Sequence, residues 1–371
     1  MWRLEADLTQ EVDAWLATLP DRPAVFLLHP REGAPYLART ARLRRRLHRL
    51  LAPAAPHSRW LNLREIAVRA EIRFCASRLG SDLLFYTLAR QHFPDSWTDH
   101  FRLRYPAYVK LLTANPWPRT QVTIRPGGGG RAFGPFRSRA GAERFEQEML
   151  ELFQLRRCQE DLAPSPAHPG CIYGEMNRCS RPCQQVVGRE EYAAEAGRVA
   201  QFLATGGAAL AESVAAARDR YSGEMQFEAA ARQHERWQRV EKVLSLRDEL
   251  AADLDHLYGI AVTASPAPGA VELRFLLSGQ WQPEIEFAVA PQGAEMIPLE
   301  RRTKEIVAAL APPRRPARDR AEHLAILARW GYSSWRDGEW IPFDALERIP
   351  YRRLTRAISK VAAGRDASLE K

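Results

Sequence analysis

Cysteine is scarce in this chain, five among 371 residues, which excludes a small scaffold built on disulfides. No stretch of about 18 apolar residues occurs, so no membrane span is expected. The opening MWRLEADLTQ carries acids and no apolar run, unlike a signal peptide. A reducing cytoplasm is therefore the expected compartment, where thiols hold metals more readily than one another. No Gly-Lys-Ser/Thr follows the four glycines Gly127 to Gly130, so these read as a hairpin loop rather than a phosphate cradle. What remains is a chain with 46% hydrophobic residues and 26 prolines: a folded protein with many irregular joints, long enough for two or three domains.

The scarce cysteines are concentrated. Four of the five, Cys158, Cys171, Cys179 and Cys183, fall within 26 residues at the spacing C-x12-C-x7-C-x3-C. Four soft thiolates converging on one point suit zinc or an iron–sulfur cluster; the plainer readings are two disulfides or four unrelated buried thiols. Such clustering in a cysteine-poor chain favours metal, and the missing C-x2-C pair weakens a zinc ribbon. Cys75 stands alone in an apolar context and reads as a buried thiol.

Charge is the second concentration. The net charge is +9, with a pI near 9.6, and arginine carries most of it. Arg39, Arg42, Arg44, Arg45, Arg46 and Arg49 follow one another without an acid, and a second basic run spans 314–318. Such runs attract polyanions, nucleic acid above all, although a solvated helix face has the same composition.

Along the chain, residues 1–20 read as an amphipathic helix on Val12, Trp15, Leu16 and Leu19. Residues 23–28 read as a buried strand and 35–38 as its partner after a turn. Leucines at 43, 47, 50 and 51 mark a helix whose other face is the arginine run. Residues 107–113 and 119–125 are strand-like, a helix is expected over 140–153, and 189–257 is helical with a break at Gly206-Gly207. Residues 261–263, 271–277 and 284–290 are strand-like. Trp330, Trp335 and Trp340 read as packing aromatics sooner than as base-stacking ones. The class is α+β.

The stretch from Pro23 to Leu47, PAVFLLHPREGAPYLARTARLRRRL, resembles the GIY-YIG nuclease domain that opens UvrC, the incision subunit of the bacterial UvrABC excinuclease. Leu155-Arg156-Arg157-Cys158, Cys171-Ile172-Tyr173 and Arg178 to Cys183 are similar to the cysteine segment of that family. The resemblance implies metal-assisted phosphodiester hydrolysis, in which tyrosines, a helix arginine and a metal-binding glutamate share the work. Tyr36 keeps the tyrosine of the second triad and Arg46 the helix arginine, while Phe26 and Leu50 replace two further tyrosines. Tyr86 takes the place of the glutamate, and a phenol is a poor ligand for a hard cation.

The resemblance also selects a 4Fe–4S cluster on Cys158, Cys171, Cys179 and Cys183 over zinc. It makes Arg39, Arg42, Arg44, Arg45 and Arg49 DNA contacts. Met225 to Arg232 is similar to the UVR motif, with Phe227, Glu228, Ala230 and Ala231 as the surface that docks on UvrB; an ordinary helix pair has the same alanine-rich spacing. The expected organisation is a degenerate GIY-YIG domain over 1–100, a β-hairpin and cysteine connector over 101–186, a helical UVR-like segment over 187–256 and an α/β region over 257–371. The second nuclease of full-length UvrC is not expected here, since no acidic triad stands out. The implied function is a DNA-binding protein of nucleotide excision repair without incision. The alternative is a single-site endonuclease using Mg²⁺ or Mn²⁺, with Asp82 in place of the lost glutamate.

Overall fold

A computed structural model describes residues 3–53, 61–289, 298–311, 313 and 318–369 of the chain. The first sheet contains β1 (Arg3–Asp7), β2 (Ala24–Pro30), β3 (Tyr36–Thr40) and β4 (Ala67–Phe74), ordered β1-β4-β2-β3 and antiparallel throughout. With it come helices α1 (Val12–Thr18), α2 (Leu43–Leu51) and α3 (Arg78–His92). β2 is apolar without interruption from Ala24 to Leu28 because both its faces are covered there. Ala24, Phe26 and Leu28 pack toward α1 and α2, with Leu16, Leu43, Leu47 and Leu50. Val25 and Leu27 pack toward α3, with Leu79, Leu83 and Leu84. Each such fully buried side chain contributes roughly 1.5–3 kcal/mol.

One helix over residues 1–20 is corrected. Arg3–Asp7 is an edge strand paired with β4, turning Leu4 and Ala6 inward and Arg3, Glu5 and Asp7 outward, and the helix begins only at Val12. In β4 the charged Arg69, Glu71 and Arg73 alternate with the buried Ala70, Ile72 and Phe74. Glu71 is nevertheless buried, held by Arg73 and Arg3.

After a short helix α4 (Trp97–His100), the second sheet is built from β5 (Ala107–Leu111), β6 (Thr120–Thr123) and β7 (Arg131–Phe136), completed by β8 (Ala252–Asp253) in the order β6-β5-β7-β8. The four glycines join β6 to β7, and the Lys110 ammonium holds them by donating to the Gly127 and Gly128 carbonyls at 2.5 and 2.8 Å. Helix α5 (Arg139–Leu150) covers this sheet together with α7 (Arg189–Thr205), and between them lies the cysteine segment with its one short helix, α6 (Ile172–Glu175). α8 (Ala208–Gly223) and α9 (Phe227–Ser245) form an antiparallel hairpin. α7 turns into α8 through 106° at Gly206 and Gly207, whose φ angles of 57° and 87° are left-handed. A Cβ on Gly207 would stand 2.4 Å from the Leu244 side chain, so glycine is required by conformation and space together.

The third sheet runs β11-β10-β9-β13, with β12 also on β10: β9 (Tyr258–Ala264), β10 (Ala270–Leu277), β11 (Gln280–Trp281), β12 (Ile285–Ala288) and β13 (Glu339–Phe343). α10 (Leu299–Ala308) and α12 (Tyr351–Leu369) take one face, and α11 (Arg320–Gly331) the other. Trp330 and Trp340 are core residues. α11 and β11 close over α3, so a single apolar cluster runs from Val25 and Leu27 through α3 to Trp281 and Trp330. The architecture is α+β, as expected.

Candidate functional site

α2 places its leucines in the core and therefore its arginines in water. Arg42, Arg44, Arg45 and Arg49 are exposed and Arg46 half-buried. With His48, Thr40 and Asp21 they line an open cleft of about 620 Å³ in which Asp21 is the only acid. The Arg46 guanidinium donates to the Tyr36 hydroxyl at 2.9 Å, so two expected site residues meet. Around them Phe26 and Leu50 are fully buried, and Phe26 lies 6.3 Å from the Tyr36 ring, centroid to centroid. Apolar side chains stand where two hydroxyls would have been.

The rest of the expected nuclease site lies across the sheet, on the α3 side. Arg39 does not join the α2 arginines: its guanidinium donates to Asp82 and lies over the rings of Phe85 and Phe101. Asp82 is also paired with Arg329 of α11 at 3.3 Å. A carboxylate bracketed by two guanidiniums is a structural clamp, not an open metal ligand.

Tyr86 is 3% exposed and makes edge contacts with Trp97 at 5.5 Å and with His323 of α11 at 5.8 Å. Arg90 donates to its hydroxyl at 3.1 Å, and burial pushes the phenol up regardless. His323 accepts at Nδ1 from the Trp281 amide at 3.0 Å, and burial holds its pKa below the ordinary value. No periodicity in the sequence marked His323 as a neighbour of Tyr86.

In the cysteine segment, between Arg156 and Val186, almost nothing apolar is buried except Cys179, Pro182 and Cys183. The chain is held instead by isolated hydrogen bonds, such as the Ser180 amide on the Gln154 carbonyl at 3.1 Å and the Ser165 amide on the Cys183 carbonyl at 2.9 Å. The quartet consists of free thiols, and so does Cys75. Burial pushes the Cys179 thiol up to about 11, and Cys158, Cys171 and Cys183 all add to that shift by their proximity. Cys183 is raised by burial first, then by Cys171 and Cys158. Cys158, Cys171 and Cys183 are thus near enough to Cys179 for their charge to act on it.

Among the described residues, no three His, Cys, Asp or Glu side chains stand close enough to hold one ion. Cys75 is remote in character: burial pushes its thiol up to about 12, as expected of an inert buried cysteine.

The α8–α9 hairpin presents its tip to solvent. Met225, held at φ 58°, is 77% exposed and Phe227 is 68% exposed. Glu228 and Ala231 are exposed and Ala230 is half-buried against α8. Two large apolar side chains at a hairpin tip form an unpartnered surface; Met225 belongs to it although sequence reasoning began the docking surface at Phe227. Of the second basic run only Arg318 lies among the described residues, and of the strand expected over 284–290 residue 290 lies outside them. No single described helix is long and apolar enough to cross a membrane.

Comparison with known proteins adds a lineage. Residues 107–202 match the family model described as UvrC/Cho excinuclease, middle domain. The UvrABC system protein C of Moorella thermoacetica is 27% identical over 274 residues, covering 72% of this chain and 44% of that protein. The proteins of the same name from Methylococcus capsulatus and Haloarcula marismortui are each 26% identical, covering 73% and 80% of this chain and 44% and 49% of theirs. The chain therefore spans less than half the length of these relatives. No solved structure matches it.

Proposed function

We propose, for a chain that belongs to the UvrC family, a DNA-binding role in nucleotide excision repair without incision chemistry at its GIY-YIG-like site. The observation that carries this reading is the split across the first sheet. One face presents Arg42, Arg44, Arg45 and Arg49 to solvent around the Tyr36–Arg46 pair. On the other, the position expected to hold metal is a phenol buried beneath α11. The first arrangement suits phosphates, whose binding is driven by release of counterions. The second puts a phenol where the metal-binding carboxylate is expected, and Asp82 is committed to Arg39 and Arg329.

Cys158, Cys171, Cys179 and Cys183 would hold a 4Fe–4S cluster, whose contribution is to cross-link a segment that has no apolar core of its own. Arg178 stays tied to Glu151 at 3.0 Å beside it. The tip residues Met225 and Phe227, with Glu228, Ala230 and Ala231, form the surface offered to UvrB. These roles place the protein in the cytoplasm, where thiols remain reduced and DNA is at hand.

The test is a pair of measurements on anaerobically purified protein. Binding to lesion-bearing duplex is followed across a salt series, and nicking is assayed with Mg²⁺ or Mn²⁺ in the presence of UvrA and UvrB. Binding without nicking is expected. The triple variant R42A/R45A/R49A should flatten the slope of log K against log salt by about 2–3, at about 0.9 for each lost phosphate contact. Nicking by the native chain, or a slope unchanged in the triple variant, overturns the proposal.

A further inference from the structure

Two cavities adjoin along residues 20–23, the link between α1 and β2. Asp21 lines the arginine cleft, where its carboxylate accepts from the Arg45 amide at 3.2 Å. Pro20, Arg22 and Pro23 line the other, an open cavity of about 650 Å³. The shared wall is tied down on both sides. The Leu43 amide of α2 donates to the Arg22 carbonyl at 3.2 Å, and the Cys75 amide to the Pro23 carbonyl at 3.0 Å. The rest of the cavity is closed by the end of β4, the start of α3, the end of β9, the start of β13 and one side of α12. It therefore lies where the first sheet meets the third, and junctions of this kind are where ligand pockets concentrate.

Its lining divides into apolar walls and a polar edge. Pro20, Pro23, Phe74, Ala264, Pro266 and Val361 supply the walls. The charged groups are Arg22, Lys360, Asp337 and Glu339, two of each sign, and Lys360 is paired with Glu339 at 2.5 Å. Asp337 accepts from the Arg78 amide at 2.6 Å and from the Trp330 indole at 3.0 Å. An ionised carboxylate has about four lone-pair sites, so Asp337 can accept again. Ser77, 6% exposed, accepts from the Gly80 amide at 3.0 Å, and among the described residues its own hydroxyl proton has no acceptor.

That balance of charge decides the ligand. A phosphate gains little where two carboxylates match two cations. A neutral molecule with flat apolar faces and a rim of donors and acceptors gains from both walls and edge, and a nucleobase has that form. Its size is no obstacle, since pockets of about 300–1,000 Å³ take whole drug-sized molecules. We propose that this cavity receives a nucleobase everted from DNA whose backbone lies in the neighbouring arginine cleft, the phosphates staying with α2. Asp337 and Glu339 accept from the N–H groups of the base, and Ser77 donates to a ring nitrogen or carbonyl. The inference rests on the DNA-binding reading above and deepens it by naming the substrate class: duplex carrying an unpaired or poorly stacked base, where eversion costs least.

The test uses the full chain and two duplexes, one fully paired around a 2-aminopurine and one in which that base is bulged. Readouts are affinity across a salt series, 2-aminopurine fluorescence, which rises when the base leaves the stack, and circular dichroism as a check on folding. Wild type should bind the bulged duplex about tenfold more tightly than the paired one, because part of the unstacking is already done, and fluorescence should rise several-fold. A76W and A264W fill the cavity from opposite walls, at an exposed and a half-buried position. Both should lose the preference and the rise while keeping wild-type affinity and salt slope for the paired duplex. R42A/R45A/R49A should weaken both duplexes alike. Should one tryptophan variant fail to fold, the other decides. Paired and bulged duplexes bound equally, with no rise, overturn the cavity proposal and leave the DNA-binding reading standing. A preference and rise that persist in a folded tryptophan variant overturn it as well, as does saturable binding of free 2-aminopurine deoxyriboside without any rise on the duplex. Binding of neither duplex refutes both readings.

Discussion

Replacing Tyr86 with glutamate restores the residue type that the resembled nucleases use to hold metal, and the structure says it will not restore a metal site. Tyr86 sits against Trp97, His323 and Phe101 at centroid distances of 5.5, 5.8 and 6.4 Å. Each such aromatic contact is worth about 0.5–1.5 kcal/mol beyond area burial. A glutamate there would lose those contacts and bring its carboxylate among apolar rings. Asp319 and Glu322 act on this position with the same sign of charge, and Arg90 is the cation that touches it.

The expected cost is about 3–5 kcal/mol, a large part of the stability of an ordinary domain. The assay is urea unfolding followed by tryptophan fluorescence. Burial and like charge raise the new carboxyl's pKa above its unfolded value, so its contribution is retained at low pH and lost as pH rises. The gap between Y86E and wild type should therefore be wider at pH 8 than at pH 5. Y86F, which loses only the hydrogen bond to Arg90, should cost about 1 kcal/mol. A Y86E protein as stable as wild type that nicks DNA with Mg²⁺ would refute the reasoning, because α11 could not then be covering that position.

Three further outcomes follow from the same geometry. C179S should abolish iron retention and expose residues 158–183 to limited proteolysis, whereas C75S, which changes a thiol outside the quartet, should leave iron content unchanged. D82N removes the anion shared by Arg39 and Arg329 and should cost about 2 kcal/mol, read as a lower urea midpoint; both arginines can turn partly to water, which limits the loss. Burial lowers the folded pKa of His323, so the unfolded chain binds its proton more readily and stability falls as pH drops below the ordinary imidazole value near 6.5. In H323Q the fall in urea midpoint between pH 7.5 and 5.5 should be smaller than in wild type.

Several features were legible in the chain because their cause is local. The leucines at 43, 47, 50 and 51 define α2 because a helix repeats every 3.6 residues, and the arginines must then face water. The uninterrupted run from Ala24 to Leu28 announced a strand covered on both faces, and the cysteine quartet was visible as spacing alone. Gly206-Gly207 marked the bend between α7 and α8 because left-handed backbone selects glycine. β1 and β4 escaped notice because β1 is a short edge strand and β4 carries three charges on one face, and pairing of β4 with both β1 and β2 is what fixes them as strands.

By itself, then, the sequence determined the class of the protein, its basic helix, its thiol quartet and the presence of Phe26, Leu50 and Tyr86 at three positions of the resemblance. Tertiary structure decided the rest. It divided Arg39 from the other arginines, committed Asp82 to two guanidiniums and laid α11 over Tyr86. Each of these depends on contacts between segments distant along the chain. Such contacts leave no periodic trace in either partner, because packing is fixed by volume and charge at the meeting point rather than by the repeat of one helix or strand.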